Sequence, residues 1–169
     1  MTGELVGVFI LLGAAFITDL RSMKIPNALT LSGLAFGLLW HLLDGGWGGG
    51  LFALRGVAVG FALMLMLYWF GAVGGGDVKL FAGIGAWTGA QMTLHIMVYS
   101  ILCAGLIGVF ILILRREAFT RLRGILHNIL GALVLKSWIP VRSGRKNQLQ
   151  FPFMLAVLPA AVYAVFNLS

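Results

Sequence analysis

Two aspartates sit where so apolar a chain has little reason to keep a charge. Asp19 lies in Thr18-Asp19-Leu20-Arg21-Ser22-Met23-Lys24-Ile25-Pro26-Asn27, and Asp77 closes Gly74-Gly75-Gly76-Asp77-Val78-Lys79. Asp and Glu together number only 5 in the whole chain. An ionisable group at a membrane boundary is expensive and needs a reason. Two carboxylates that a helix bundle brings together suggest an acid–base pair, one protonated and one ionised.

Other chemistry-bearing side chains are sparse. Cys103 is the single cysteine and lies in an apolar run, which excludes an intrachain disulfide or a cysteine metal site. His41, His95 and His127 are far apart and form no spaced ligand motif. A lone histidine near a helix end reads as an interfacial residue, so neither a metal nor a cofactor is expected.

Taken alone, each aspartate also has a structural reading. Gly74, Gly75 and Gly76 free the backbone and allow another segment to approach closely. A helix starting after them would place Asp77 at its N-cap, where a carboxylate satisfies orphan amides. Asp19 has the alternative of pairing with Arg21 or Lys24. Ile25-Pro26-Asn27 reads as the entry to a second helix, with Pro26 and Asn27 setting the turn. Lys79 either acts on the ionisation of Asp77, meets a substrate carboxylate, or anchors the helix end, and the last is the preferred reading. No Walker spacing follows the glycines, which disfavours a phosphate cradle.

The elements that must position these residues follow from composition. The chain is 60% hydrophobic and 10% charged, with a mean hydropathy of +1.02, whereas a soluble domain carries about a quarter charged residues. The polar surface cannot cover a water-soluble globule, so the expected class is all-α, a polytopic integral membrane protein. Apolar segments fall at 5–17, 28–43, 51–73, 80–87, 92–114 and 149–168, which gives about six transmembrane helices in one membrane-embedded unit spanning 1–169. The fourth is the weakest, either a short tilted helix or a hairpin arm, with a turn near 87–91. The N-terminus lacks the positive region of a signal peptide.

Orientation follows from the 12 Lys and Arg. Arg21 and Lys24 follow the first segment and Lys79 the third. Arg115, Arg116, Arg121, Arg123, Lys136, Arg142, Arg145 and Lys146 follow the fifth, and only Arg55 is left over. The positive-inside rule puts these connections in the cytoplasm, both termini outside, and both aspartates toward the cytoplasm of an inner-membrane, multi-pass protein. The net charge of +7 is then a matter of orientation, and nucleic acid is excluded as a partner. Within the basic connection 115–148, Leu122, Ile125, Leu126, Ile129, Leu130, Leu133 and Val134 keep helical spacing. They predict an amphipathic helix lying in the cytoplasmic interface against lipid, with a soluble packing role as the alternative. Residues 44–50 read as an external turn, with Trp40 and Trp47 as interfacial anchors. Gly56 and Gly60 form a small-xxx-small spacing for close helix packing.

The two aspartate segments together resemble the type IV prepilin peptidase family, membrane aspartyl proteases with a GxGD motif. The matching residues are Asp19-Leu20-Arg21 with Ile25-Pro26-Asn27-Ala28-Leu29-Thr30, and Gly74-Gly75-Gly76-Asp77-Val78-Lys79-Leu80 with Gly85-Ala86-Trp87. The resemblance covers most of 17–89. GxGD alone is shared with presenilin-like proteases, but its combination with the upstream Asp and Ile-Pro-Asn is specific. The resemblance implies that Asp19 and Asp77 are a catalytic pair acting on a prepilin or pseudopilin, with the basic leader cut after a glycine at the cytoplasmic face. Large members also carry paired CxxC motifs and a methyltransferase activity. This sequence opens at its first apolar segment and has one cysteine, so the expectation is a small peptidase of the Flp (tight-adherence) type, with archaeal preflagellin peptidases as neighbours. A small transporter and a non-enzymatic subunit of a pilus assembly are the rival classes. The sequence leaves the oligomeric state open.

Overall fold

A computed structural model of the chain describes residues 2–23, 25–114 and 152–168. These residues form four helices, α1 (Thr2–Ser22), α2 (Asn27–Trp69), α3 (Gly75–Leu114) and α4 (Met154–Leu168), with no strand among them. Three stretches, Gly3–Ser22, Asn27–Trp69 and Gly75–Ile111, are long and apolar enough to cross a membrane. The amphipathic helix expected at 122–134 lies outside the described residues, as does all of the basic connection 115–148. The chain divides into two compact units, Met1–Ala104 with Pro152–Ser169, and Gly105–Phe151. Of the second, residues 105–114 are described and are helical.

A straight helix of 43 residues would run about 65 Å at 1.5 Å per residue, twice the roughly 30 Å hydrocarbon core of a bilayer. α2 instead breaks at Gly46, with φ 56° and ψ −142°, a left-handed conformation that glycine adopts without a Cβ penalty. Its arms, 27–45 and 47–69, fold back on each other. The His41 ring packs on Phe52 with centroids 5.1 Å apart, and a Cβ at Gly49 would overlap the His41 carbonyl. α3 breaks in the same way at Gly89, φ 72°, into arms 75–88 and 90–114. The turn expected over 44–50 is thus a reversal at one residue, with helix on both sides.

The arm 75–88 is the middle of the first unit. Every residue from 77 to 87 except Lys79 is buried. The segment that looked weakest in the sequence, 80–87, is a helix enclosed by protein, which is why it is apolar all round. The second arm of α2 closes on it through glycines. A Cβ on Gly56 or on Gly85 would overlap the other's backbone, and one on Gly60 would overlap the Phe81 carbonyl. Without a hydrophobic drive between helices in lipid, such close backbone approach is what gains packing energy. The small-xxx-small spacing is therefore used within the chain.

At its far end the same arm is tied to the first arm of α2. Trp87 Nε1 donates to the Gly33 carbonyl at 2.9 Å, and His41 Nε2 lies 3.0 Å from the Trp87 carbonyl. A carbonyl only accepts, so that nitrogen carries the proton. Glu4 Oε1 stands 3.9 Å from His41 Nδ1. His41 is buried, a correction to its reading as an interfacial residue: it satisfies a main-chain carbonyl inside the bundle.

α1 buries Val8, Leu11, Leu12 and Ala15, a stripe at helical spacing whose next member is Asp19. α4 buries Met154, Val157, Ala161 and Ala164 in the same core. α1 packs against both α2 and α4. Outward, Ile10, Leu43, Trp47 and Trp69 are exposed, an apolar surface suited to lipid rather than water.

Candidate active site

Asp19 is only 6% exposed. Its Oδ2 accepts a hydrogen bond from the Met154 main-chain N–H at 3.1 Å. The first N–H groups of a helix have no partner within it, and Met154 opens α4, so a carboxylate on α1 supplies an acceptor that α4 lacks. Arg21, considered as a partner from the sequence, is exposed. Lys24 lies outside the described residues.

Asp77 differs from expectation in its place on the helix. Gly74, not Asp77, caps α3, which begins at Gly75. The Gly74 carbonyl accepts from the Asp77 and Val78 amides at 3.1 and 3.4 Å. Asp77 Oδ2 in turn accepts from the Gly74 N–H at 3.0 Å. This is one half of a capping box, the side chain at the third helical position accepting from the N–H of the cap residue. A glycine cap offers no side-chain oxygen, so Asp77 reaches back and closes the turn itself. The turn leaves little room, since a Cβ on Gly74 would lie 3.2 Å from Asp77 Oδ2.

Both aspartates line one cavity of about 620 Å³, within the range of small-molecule and peptide side-chain sites. Its wall also includes Met23, Ile25, Asn27, Phe61, Leu65, Tyr68, the three glycines, Val78 and Lys79. Thus α1, the α1–α2 turn, the second arm of α2 and the start of α3 all contribute. Pro26 is the N-cap of α2, and its carbonyl accepts from Leu29 and Thr30, as expected of a turn-setting residue. Ile25 packs beside Gly76, its Cβ 3.4 Å from where a Cβ on that glycine would stand. Lys79 Nζ donates to Asn27 Oδ1 at 2.8 Å, so it joins the two motif segments. Among the described residues no three His, Cys, Asp or Glu side chains are grouped as metal ligands.

Nothing in the residue pattern marks Phe61, Leu65 or Tyr68 as cavity walls beyond their place in an apolar segment. Met154 had no available signal, because a main-chain donor has no residue type. Met23 had none either. It ends α1 with φ 49°, donating its N–H to the Asp19 carbonyl at 2.8 Å, where glycine would be usual.

A family model described as the type IV leader peptidase family matches residues 6–109. The chain belongs to that family. Both aspartates of this leader-peptidase relative fall inside the matched stretch, and α4 falls outside it. A prepilin leader peptidase/N-methyltransferase of Aeromonas hydrophila is 35% identical over 116 residues, covering 64% of this chain and 39% of that protein. One of Bacillus subtilis (strain 168) is 35% identical over 96 residues, 54% of this chain and 38% of that protein. One of Pectobacterium carotovorum subsp. carotovorum is 36% identical over 87 residues, 44% and 29% respectively. The chain thus spans well under half the length of these relatives. No solved structure matches it significantly.

Proposed function

We propose that this chain is a prepilin leader peptidase, an aspartic endopeptidase that removes the basic leader of Flp-like prepilins after a glycine. The observation that carries this is the convergence of Asp19 and Asp77, 58 positions apart in the sequence by subtraction of their numbers, on one cavity. Family membership and the printed names of the relatives support the substrate class.

In this reading one carboxylate takes a proton from water as its oxygen attacks the scissile carbonyl carbon. The other, protonated, gives its proton to the carbonyl oxygen. The tetrahedral intermediate then collapses, the C–N bond breaks, and the leaving amine takes up a proton from the pair. One group must be ionised and the other protonated, so activity falls at both acid and alkaline extremes.

In this reading the helical arms lie in the inner membrane, with the cavity toward the cytoplasm, where the basic connections lie and where a basic leader would remain. Asn27 and Lys79 brace the cavity rather than react. The test is co-expression with a Flp-type prepilin, reading leader removal by mass. Wild type cleaves, whereas Asp19→Asn and Asp77→Asn insert and fold but do not, because an amide cannot share a proton as the pair does. Cleavage by either variant removes that residue from the pair.

A further inference from the structure

We propose that α4 is a working part of the active site, with the Met154 main-chain N–H as the positioning group that fixes the Asp19 carboxylate. The inference rests on the peptidase reading for the role of Asp19, but its geometry stands by itself. An aspartate side chain turns easily about its last torsion, whose preference is broad and two-fold. Something must choose which oxygen faces the reaction. For Asp77 the choice is local, since Gly74, three residues earlier, holds Oδ2. For Asp19 the donor comes from 135 residues away, on a different helix.

An N–H can be met only by a lone pair. Oδ2 of Asp19 is therefore kept as an acceptor, and proton exchange at this residue passes through Oδ1. The contact is built into the packing. Asp19 is 6% and Met154 0% exposed, and α4 lies in the same compact unit as α1. The two supports differ in kind. A shift of α4 away from α1 would release Asp19 and leave the Asp77 turn intact. Residues beyond the stretch matched by the family model thus contribute directly to the pair.

Proline lacks the N–H and is favoured at first helical positions, but here the Leu155 N–H also bonds the Pro152 carbonyl at 3.1 Å, so kcat is compared at a temperature below the thermal midpoints of both variants. The comparison is Met154→Pro against Met154→Ala, which loses similar side-chain bulk but keeps the donor. With the full-length protein and a prepilin substrate, kcat for Met154→Pro is expected at least about tenfold below that of Met154→Ala, a barrier difference of about 1.4 kcal/mol. KM should match between the two. Equal kcat values would overturn the proposal.

A second measurement needs no catalysis. Hydrogen exchange of the Met154 amide, in protein reconstituted in lipid discs, should quicken at least about tenfold in Asp19→Ala and stay as in wild type in Asp77→Ala, since a lost partner opens the amide to solvent. Unchanged exchange in Asp19→Ala refutes the contact. A wild type that cleaves no prepilin would sink the peptidase reading alone, with the exchange result still deciding the role of Met154.

Discussion

Lys79 and Asn27 are bonded side chain to side chain, Nζ to Oδ1 at 2.8 Å, and both line the cavity that holds both aspartates. The bond ties the first turn of α3 to the first residue of α2. Neither Asp19 nor Asp77 takes the ammonium as its hydrogen-bond partner, so the charge of Lys79 serves as a brace.

A double-mutant cycle should expose that brace. Lys79→Met and Asn27→Ala are each expected to lower kcat/KM several-fold, and the double variant to be no worse than the poorer single one. Residues in direct contact show such non-additivity, whereas independent ones add to within about 0.3–0.5 kcal/mol. Simply additive losses would mean that the two side chains act separately.

Gly74 should tolerate no side chain. An alanine there puts its Cβ 3.2 Å from Asp77 Oδ2 and presses on the bond that orients the carboxylate. Gly74→Ala is expected to cost about tenfold in kcat, near 1.4 kcal/mol of barrier. Gly48→Ala, with nothing within 4 Å, should leave the rate alone. Gly76→Val should also impair activity, because a branched side chain restricts the backbone and Ile25 stands against it. If Gly74→Ala and Gly48→Ala cleave equally well, the glycine turn does not orient Asp77.

Gly56 and Gly85 should govern stability. Alanine at either site forces the second arm of α2 off the buried arm of α3, a form of overpacking that costs about 1–3 kcal/mol or more. Thermal unfolding in detergent would show both variants well below wild type and Gly13→Ala, which meets nothing within 4 Å, close to it. Normal melting of Gly56→Ala would contradict the close packing.

His41 offers a test of the opposite end of the arm. His41→Phe leaves the Trp87 carbonyl without its donor, a loss of about 1–3 kcal/mol for a buried polar group. The same melting measurement detects this. Specific activity of the folded fraction should hold, because the aspartates stand at the other end of the arm. Loss of kcat with full stability would instead tie His41 to the reaction.

Orientation can be read from labelling in a Cys103→Ser background. With the cavity toward the cytoplasm, a membrane-impermeant maleimide should reach Gly48→Cys in intact spheroplasts and Tyr68→Cys only after lysis. Labelling of Tyr68→Cys before lysis would reverse the proposed topology.

Composition and local spacing carried the class of protein and pointed to the candidate site residues. Apolar composition demands lipid as solvent, and the broken hydropathy pattern demands returns near 44–50 and 87–91, which the chain makes at Gly46 and Gly89. Asp19 was singled out by its charge in an apolar setting, and the structure adds that it continues the buried stripe of Val8, Leu12 and Ala15. The Pro26 turn was readable from residue chemistry. Those signals are local, fixed by periodicity and by what each side chain does to its own backbone.

Tertiary structure alone decided the rest. It set Asp77 on the third residue of its helix, with Gly74, three residues earlier, as the cap that its carboxylate reaches back to. It enclosed 80–87 in protein, whereas hydropathy is the same whether lipid or neighbouring helices surround a helix. It gave His41 a buried carbonyl to satisfy and Asp19 an amide from Met154. Every residue but proline carries a main-chain N–H, so no residue type marks which one a distant carboxylate will meet. Only the docking of α4 against α1 makes that choice.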